Sequence, residues 1–210
     1  MTPARYQTIV DHYEACLAEH GDTHLGVDWP NAEDADTRHR VMLDLMAARD
    51  RSRSTTLLDF GCGTSHLYDF MVREGVTGVE YAGLDLSPRF VEVSRSKHPD
   101  NRYWCADLLA SNVELPEFDY VVMNGVFTEK LDLSYDEMFE YVRALIGRVW
   151  EHTGAGMAFN IMSKHVDWER DDLFHLPFDE LASWLVSSIS RNFVIRADYG
   201  LYEYTTYVYR

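Results

Sequence analysis

Cysteine, basic charge and long apolar runs are what this 210-residue chain has little of. Its three cysteines, Cys16, Cys62 and Cys105, stand far apart and show no C-x-x-C spacing. An odd, scattered set argues against a disulfide framework and for reduced thiols in a soluble, cytoplasmic protein. No apolar run approaches the roughly 20 residues of a membrane span, and no early segment joins a charged stretch to an apolar core. Neither a membrane nor an export signal is expected. Lys and Arg number 19 against 35 Asp and Glu, a formal net charge of -16. Such a surface repels phosphate backbones, so nucleic acid is a poor partner. No H-E-x-x-H run or acidic triplet with metal spacing occurs, and no metal is expected. Repeats and low-complexity linkers are missing as well. A hydrophobic content of 46% is enough for one core, so residues 1–210 are read as a single domain of undetermined oligomeric state.

What is present falls into two grammars. Residues 4 to 19 carry Tyr6, Ile9, Val10, Tyr13 and Leu17 at helical spacing, and Gly21 stops that helix. Residues 22 to 36 read as irregular, with Thr37 capping a second helix whose apolar face is Val41, Met42, Leu45 and Met46. Residues 1–50 are therefore expected to form a helical cap. From residue 55 strands and helices alternate. Strands are expected at 56–60, 80–85, 102–105, 118–124 and 156–161, and helices at 65–74, 88–97, 135–151 and 178–190. This predicts parallel βαβ units in a doubly wound, Rossmann-like α/β sheet. The ending departs from that pattern. Residues 193–198 and 202–209 are β-rich runs joined by three residues, too few for a crossover, so they close the mostly parallel, seven-stranded sheet as an antiparallel hairpin.

The most informative stretch is Leu57-Leu58-Asp59-Phe60-Gly61-Cys62-Gly63-Thr64-Ser65. An apolar run ends in an acid, two glycines flank one small residue, and an amphipathic segment follows. That is a buried strand, a tight turn bare enough for a ligand, and a helix start. Asp85 closes a second apolar run. Together they describe a nucleoside-cofactor site at the carboxyl edge of a parallel sheet. A nicotinamide cofactor wants G-x-G-x-x-G, and here the third glycine position is His66. An NAD-dependent oxidoreductase is thus an alternative that the terminal hairpin and Asp107 also disfavour.

These residues resemble the class I S-adenosylmethionine-dependent methyltransferases. Asp59 to Gly63 is similar to that family's first motif, Gly83 to Pro88 to its second, Cys105 to Leu108 to its third and Phe118 to Phe127 to its fourth. The resemblance spans roughly residues 55–210. One departure is Ser65, where the family usually has a further glycine. The resemblance implies S-adenosyl-L-methionine as cofactor and methyl transfer as activity. It implies that Gly61 and Gly63 admit the methionine moiety and ribose, that Asp85 holds the ribose hydroxyls, and that Asp107, with Ala106 and Leu108, frames the adenine beside Leu86. Asn124 to Phe127 line the site, and Asp59 orients the glycine turn or meets the cofactor's ammonium through water. Arg38 is implied to pair the cofactor's carboxylate. Tyr6, Tyr13 and Trp29 form either an aromatic lid or ordinary packing. A cofactor-binding regulator without transfer activity is the other alternative.

The fold leaves the acceptor open, because function lives in loops grafted onto it. The 161–176 segment is the richest of these. His165 and Asp167 are candidate bases, Asn160 and Ser163 candidate acceptor ligands, and Lys130, Lys164 and Arg170 a possible welcome for an anionic group. The expectation is O- or N-methylation of a small polar molecule, sugar- or phosphate-bearing.

Overall fold

The structure is a computed structural model that describes residues 6–110 and 113–210. Its centre is a strand pair made parallel by helical crossovers, β1 (Thr55–Phe60) beside β2 (Val79–Asp85). β3 (Arg102–Cys105), β4 (Phe118–Met123), β5 (Thr153–Met162), β6 (Phe193–Arg196) and β7 (Glu203–Tyr209) complete a seven-stranded sheet in the order β3-β2-β1-β4-β5-β7-β6. The first five strands run parallel, while β7 pairs antiparallel with both β5 and β6. The expected hairpin ending is therefore present.

Alternation along the strands divides the core between two faces, as period-two geometry requires. Leu58, Val121 and Phe159 join one cluster, while their neighbours Leu57, Val122 and Ala158 join the other. The first face is covered by α5 (Tyr135–Trp150) and α6 (Phe178–Ser188), through Met138, Val142, Leu145 and Leu181. The second is covered by α2 (Ala32–Asp44), α3 (His66–Arg73) and α4 (Pro88–Lys97), through Met42, Leu67, Met71 and Val91. Helix starts follow local chemistry. Ser87 caps α4 with Pro88 at its first position, and Ser134 with Glu137 forms a reciprocal capping box on α5.

Helix α1 (Gln7–His20) ends at Gly21, as expected. The part of that expectation at residues 4 and 5 lies outside the described residues. Two boundaries differ. Helix α2 begins at Ala32, capped by the Asn31 side chain on the Glu33 N–H, so Thr37 lies inside it. Its first turns are Ala-Glu-Asp-Ala-Asp, too polar for a periodicity reading, yet Glu33 and Asp34 suit a helix N-terminus. Strand β5 starts three residues earlier than its sequence pattern, through Gly154 and Gly156. A Cβ on Gly156 would stand 3.0 Å from the Tyr209 ring, so close strand approach accounts for glycine there.

The sheet reverses its order between β1 and β4, and the carboxyl ends of those strands open a crevice. Helix α1 and the short 3₁₀ turn His24–Val27 lie against its mouth.

Candidate active site

The turn between β1 and α3 is built from strained backbone. Gly61 and Gly63 have φ of 75° and 53°, and a Cβ on Gly61 would stand 2.6 Å from Val126 Cγ2. Ser65 also sits in the left-handed region, at φ 65°, where a side chain is normally disfavoured. Its hydroxyl bonds the Ser94 hydroxyl at 2.8 Å and the Tyr103 hydroxyl at 3.1 Å, both buried. That buried network holds in place the residue that departs from glycine. Cys62 is buried, which pushes its thiol well up and keeps it a small, inert side chain.

Asp85 ties two turns together. One carboxylate oxygen accepts from the Gly63 N–H and the other from the Ser87 N–H, each at 2.9 Å. Burial raises its carboxyl, and these backbone bonds oppose the rise. Behind it, buried Asp59 accepts from the Tyr81 hydroxyl at 2.8 Å. Desolvation pushes the Asp59 carboxyl up to about 7, against that hydrogen bond.

These groups border a cleft of about 1000 Å³, its open mouth included. Asp59, Gly61, Gly63, Asp85, Leu86 and Asn124 all line it. So do Tyr6, Tyr13 and Trp29, which brings the aromatic residues of the cap to the cofactor turn. The lining also holds three residues that no local motif marks as functional. These are Phe90, Tyr141 and His39. Buried His39 Nδ1 and both polar atoms of the Asn124 side chain lack hydrogen-bond partners. Burial lowers His39 to about 3, so it stays neutral.

Other expected residues lie elsewhere. Arg38 donates from Nε to Glu203 at 2.9 Å and borders a second cavity, so His39, its neighbour, faces the cleft instead. Phe127 is fully buried between Tyr141 and Phe159, a core ring below the cleft. Ala106, Asp107 and Leu108 are not in the cleft lining: Leu108 is core, and Asp107 takes a 2.5 Å bond from the Tyr6 hydroxyl. Buried Asn160 accepts from the Gly125 N–H at 2.8 Å and donates to Glu203 at 2.9 Å, which makes it a support for the turn rather than an acceptor ligand. Buried Ser163 accepts from the His165 N–H, and the exposed His165 ring packs on Phe178, outside both cavities. Of the loop candidates, Asp167 and Arg170 border the second cavity, and the Tyr202 hydroxyl holds Asp167 at 2.6 Å.

That second cavity, about 1180 Å³, is bordered by Asp28, Arg38, Glu129, Arg170 and Tyr202. Trp29 borders both spaces, with its ring 3.4 Å from where a Gly125 Cβ would stand.

The cleft fits S-adenosylmethionine. It offers a side-chain-free turn, a carboxylate at the strand edge, apolar walls and unpartnered polar atoms at Asn124 and His39. It suits a dinucleotide poorly. His66 begins α3 where a pyrophosphate would rest, and its ring pairs with Asp22 at 2.8 Å, which places a carboxylate beside that helix N-terminus.

Comparison with known proteins agrees. Residues 58–153 match a family model described as a methyltransferase domain. A Mycobacterium tuberculosis protein described as a methyltransferase, Rv1506c, is 28% identical over 152 residues, 71% of this chain and 90% of its own length. The magnesium protoporphyrin IX methyltransferase of Synechocystis PCC 6803, solved with bound SAM, superimposes with a TM-score of 0.66 at 16% identity, covering 100% of this chain and 99% of that one. The CurJ carbon methyltransferase gives 0.60 at 13% identity, over 98% of this chain and 67% of that one.

Two predictions follow from the site. Asp85→Asn keeps the side chain's size but turns one acceptor into a donor. It should weaken S-adenosylhomocysteine binding by about 1.5–3 kcal/mol in a calorimetric titration, and unchanged affinity in the folded variant would remove Asp85 from the cofactor site. Asp59 has a folded-state value raised above its unfolded one, so its contribution to stability is complete below the unfolded value and is lost as pH rises to about 7. Urea unfolding at pH 5 and pH 8 should therefore show a smaller decline for Asp59→Asn than for the parent, and equal declines would contradict the buried-acid reading. The matched domain, the fold and these relatives indicate an S-adenosylmethionine-dependent methyltransferase.

Proposed function

We propose that the protein methylates the oxygen or nitrogen of a small polar metabolite held in the second cavity. The observation that carries this reading is the shared wall: Trp29 borders both the cofactor cleft and the second cavity, at the carboxyl end of β4. The two spaces adjoin at this residue, so a donor in one and an acceptor in the other are neighbours. When bound, S-adenosylmethionine supplies a sulfonium methyl already activated for displacement, which leaves alignment and water exclusion to the protein.

The chain's own residues divide that work. Gly61 and Gly63 let the backbone approach the cofactor, and Asp85 is poised for its ribose. Residues 6–50 act as a cap through the α1 side chains at the cleft and Trp29 at the wall. The Asn160 amide fixes Gly125, the turn on which Trp29 rests. The carboxylate of Asp167 stands at the far rim as an acceptor contact.

A phosphate-bearing acceptor loses support. Lys130 donates to the Asp171 carbonyl, Lys164 to Glu169 and Arg170 to Asp172, so each basic side chain of this region is engaged. Nucleic acid is disfavoured by the same scarcity of free positive charge and by the net charge of -16. No helix among the described residues is long and apolar enough to cross a membrane, and free thiols at all three cysteines support a cytoplasmic setting.

The test is to incubate the protein with methyl-labelled S-adenosylmethionine and fractionated cell extract. Label should appear in the small-molecule filtrate and fall with Asp85→Asn. Label confined to RNA or to protein would overturn the reading.

A further inference from the structure

We propose that the second cavity is an ammonium-binding acceptor site, in which Glu129 first pairs with the incoming amine and then takes its proton. This rests on the methyl-transfer reading of the two cavities and names the acceptor's chemical class.

Glu129 follows β4, on the loop that leads from the Gly125 turn into the cavity. It is 8% exposed and borders the cavity, yet among the described residues its carboxylate makes neither a hydrogen bond nor an ion pair. An unpaired carboxylate buried to this degree is costly unless a cation completes it. Among the described residues, the guanidinium groups that border the cavity are engaged elsewhere. Arg170 is taken up by both oxygens of Asp172, and Arg38 by Glu203. Asp28, Asp34 and Asp167 also border the space, so its balance is acidic. Three aromatic side chains also border it: Trp29 towards the cofactor cleft, Trp168 and Tyr202 at the exposed rim. Acids combined with aromatic faces suit an organic ammonium.

The groups that face Glu129 come from three elements. Asp28, after the 3₁₀ turn, and Asp172, after β5, raise its carboxyl, while Arg170 and His12 of α1 oppose them. Tyr13 and Cys16 of α1 also feel its charge. Burial is the largest influence, and the carboxyl is pushed up to about 7, near the pH at which a base is most effective. Tyr13 lines the cofactor cleft, which sets Glu129 beside the wall between the two spaces.

The step balances. The ammonium gives one proton to the Glu129 carboxylate, and the freed nitrogen lone pair forms the new N–C bond. The C–S bond breaks with its electron pair returning to sulfur. The methylated ammonium departs, and Glu129 releases its proton to solvent.

The experiment uses wild-type protein saturated with S-adenosylhomocysteine. Three probes of one shape are titrated by calorimetry: phenethylamine, 2-phenylethanol and 3-phenylpropanoate. Phenethylamine should bind best, and Glu129→Gln should weaken it by about tenfold or more, the factor for losing one charge-assisted bond, while S-adenosylhomocysteine affinity stays as in the parent. Preferential binding of 3-phenylpropanoate, phenethylamine binding indifferent to Glu129→Gln, or binding of none of the three would overturn the proposal. Failure of S-adenosylhomocysteine itself to bind would overturn the cofactor reading instead.

Discussion

The Asp85 carboxylate is the fixed point on which the shape of the cleft depends. Each of its oxygens grips a backbone N–H from a different turn, Gly63 after β1 and Ser87 after β2. Two adjacent βα connections are thereby locked into one surface at the switch point of the sheet. The glycine turn can hold its positive φ angles because this carboxylate and the buried Ser65-Ser94-Tyr103 hydroxyls pin it on either side. A charge so confined would be a liability in a protein that only needed to fold. Here it borders a cleft whose apolar walls and unpartnered Asn124 and His39 atoms ask for a polar, nucleoside-like guest.

A second chain of bonds sets the wall between the two cavities. The Gly125 N–H donates to Asn160, Asn160 donates to Glu203, and Arg38 donates to Glu203 from the other side. One line of contacts thus joins the β4 turn, β5, the C-terminal hairpin and the second helix. Trp29 rests on that turn, with the Arg38 guanidinium 5.4 Å from its ring centre. The reversed last strand supplies Glu203 and, just before it, Tyr202, so the ending of the sheet helps to build the second cavity.

Much of this was legible in the sequence, and the limits have physical causes. Apolar runs with period two, a serine-proline helix start and a three-residue hairpin link are local signals, and they placed the strands, α4 and the antiparallel ending correctly. The cofactor turn was legible because glycine at positive φ and an acid at a strand end are chemically costly choices. Helix α2 escaped at its start because its first turn faces solvent and carries no apolar pattern. Arg38 and His39 are adjacent, and only the rotation of that helix decides which one meets the cleft. Asn160 looked like an acceptor ligand because it is polar at a strand end, whereas burial turned both its groups towards backbone and Glu203. Glu129 was invisible for the opposite reason: nothing local marks a loop glutamate as buried until segments from both ends of the chain close over it.

The central claim is that donor and acceptor occupy two spaces meeting at Trp29. A crystal structure with S-adenosylhomocysteine bound tests it most directly. The account predicts the ribose at Asp85, the adenine beside Leu86, and the sulfur end directed at the Gly125 turn and Trp29. Density for the ligand in the second cavity, or with its sulfur turned away from Trp29, would contradict it.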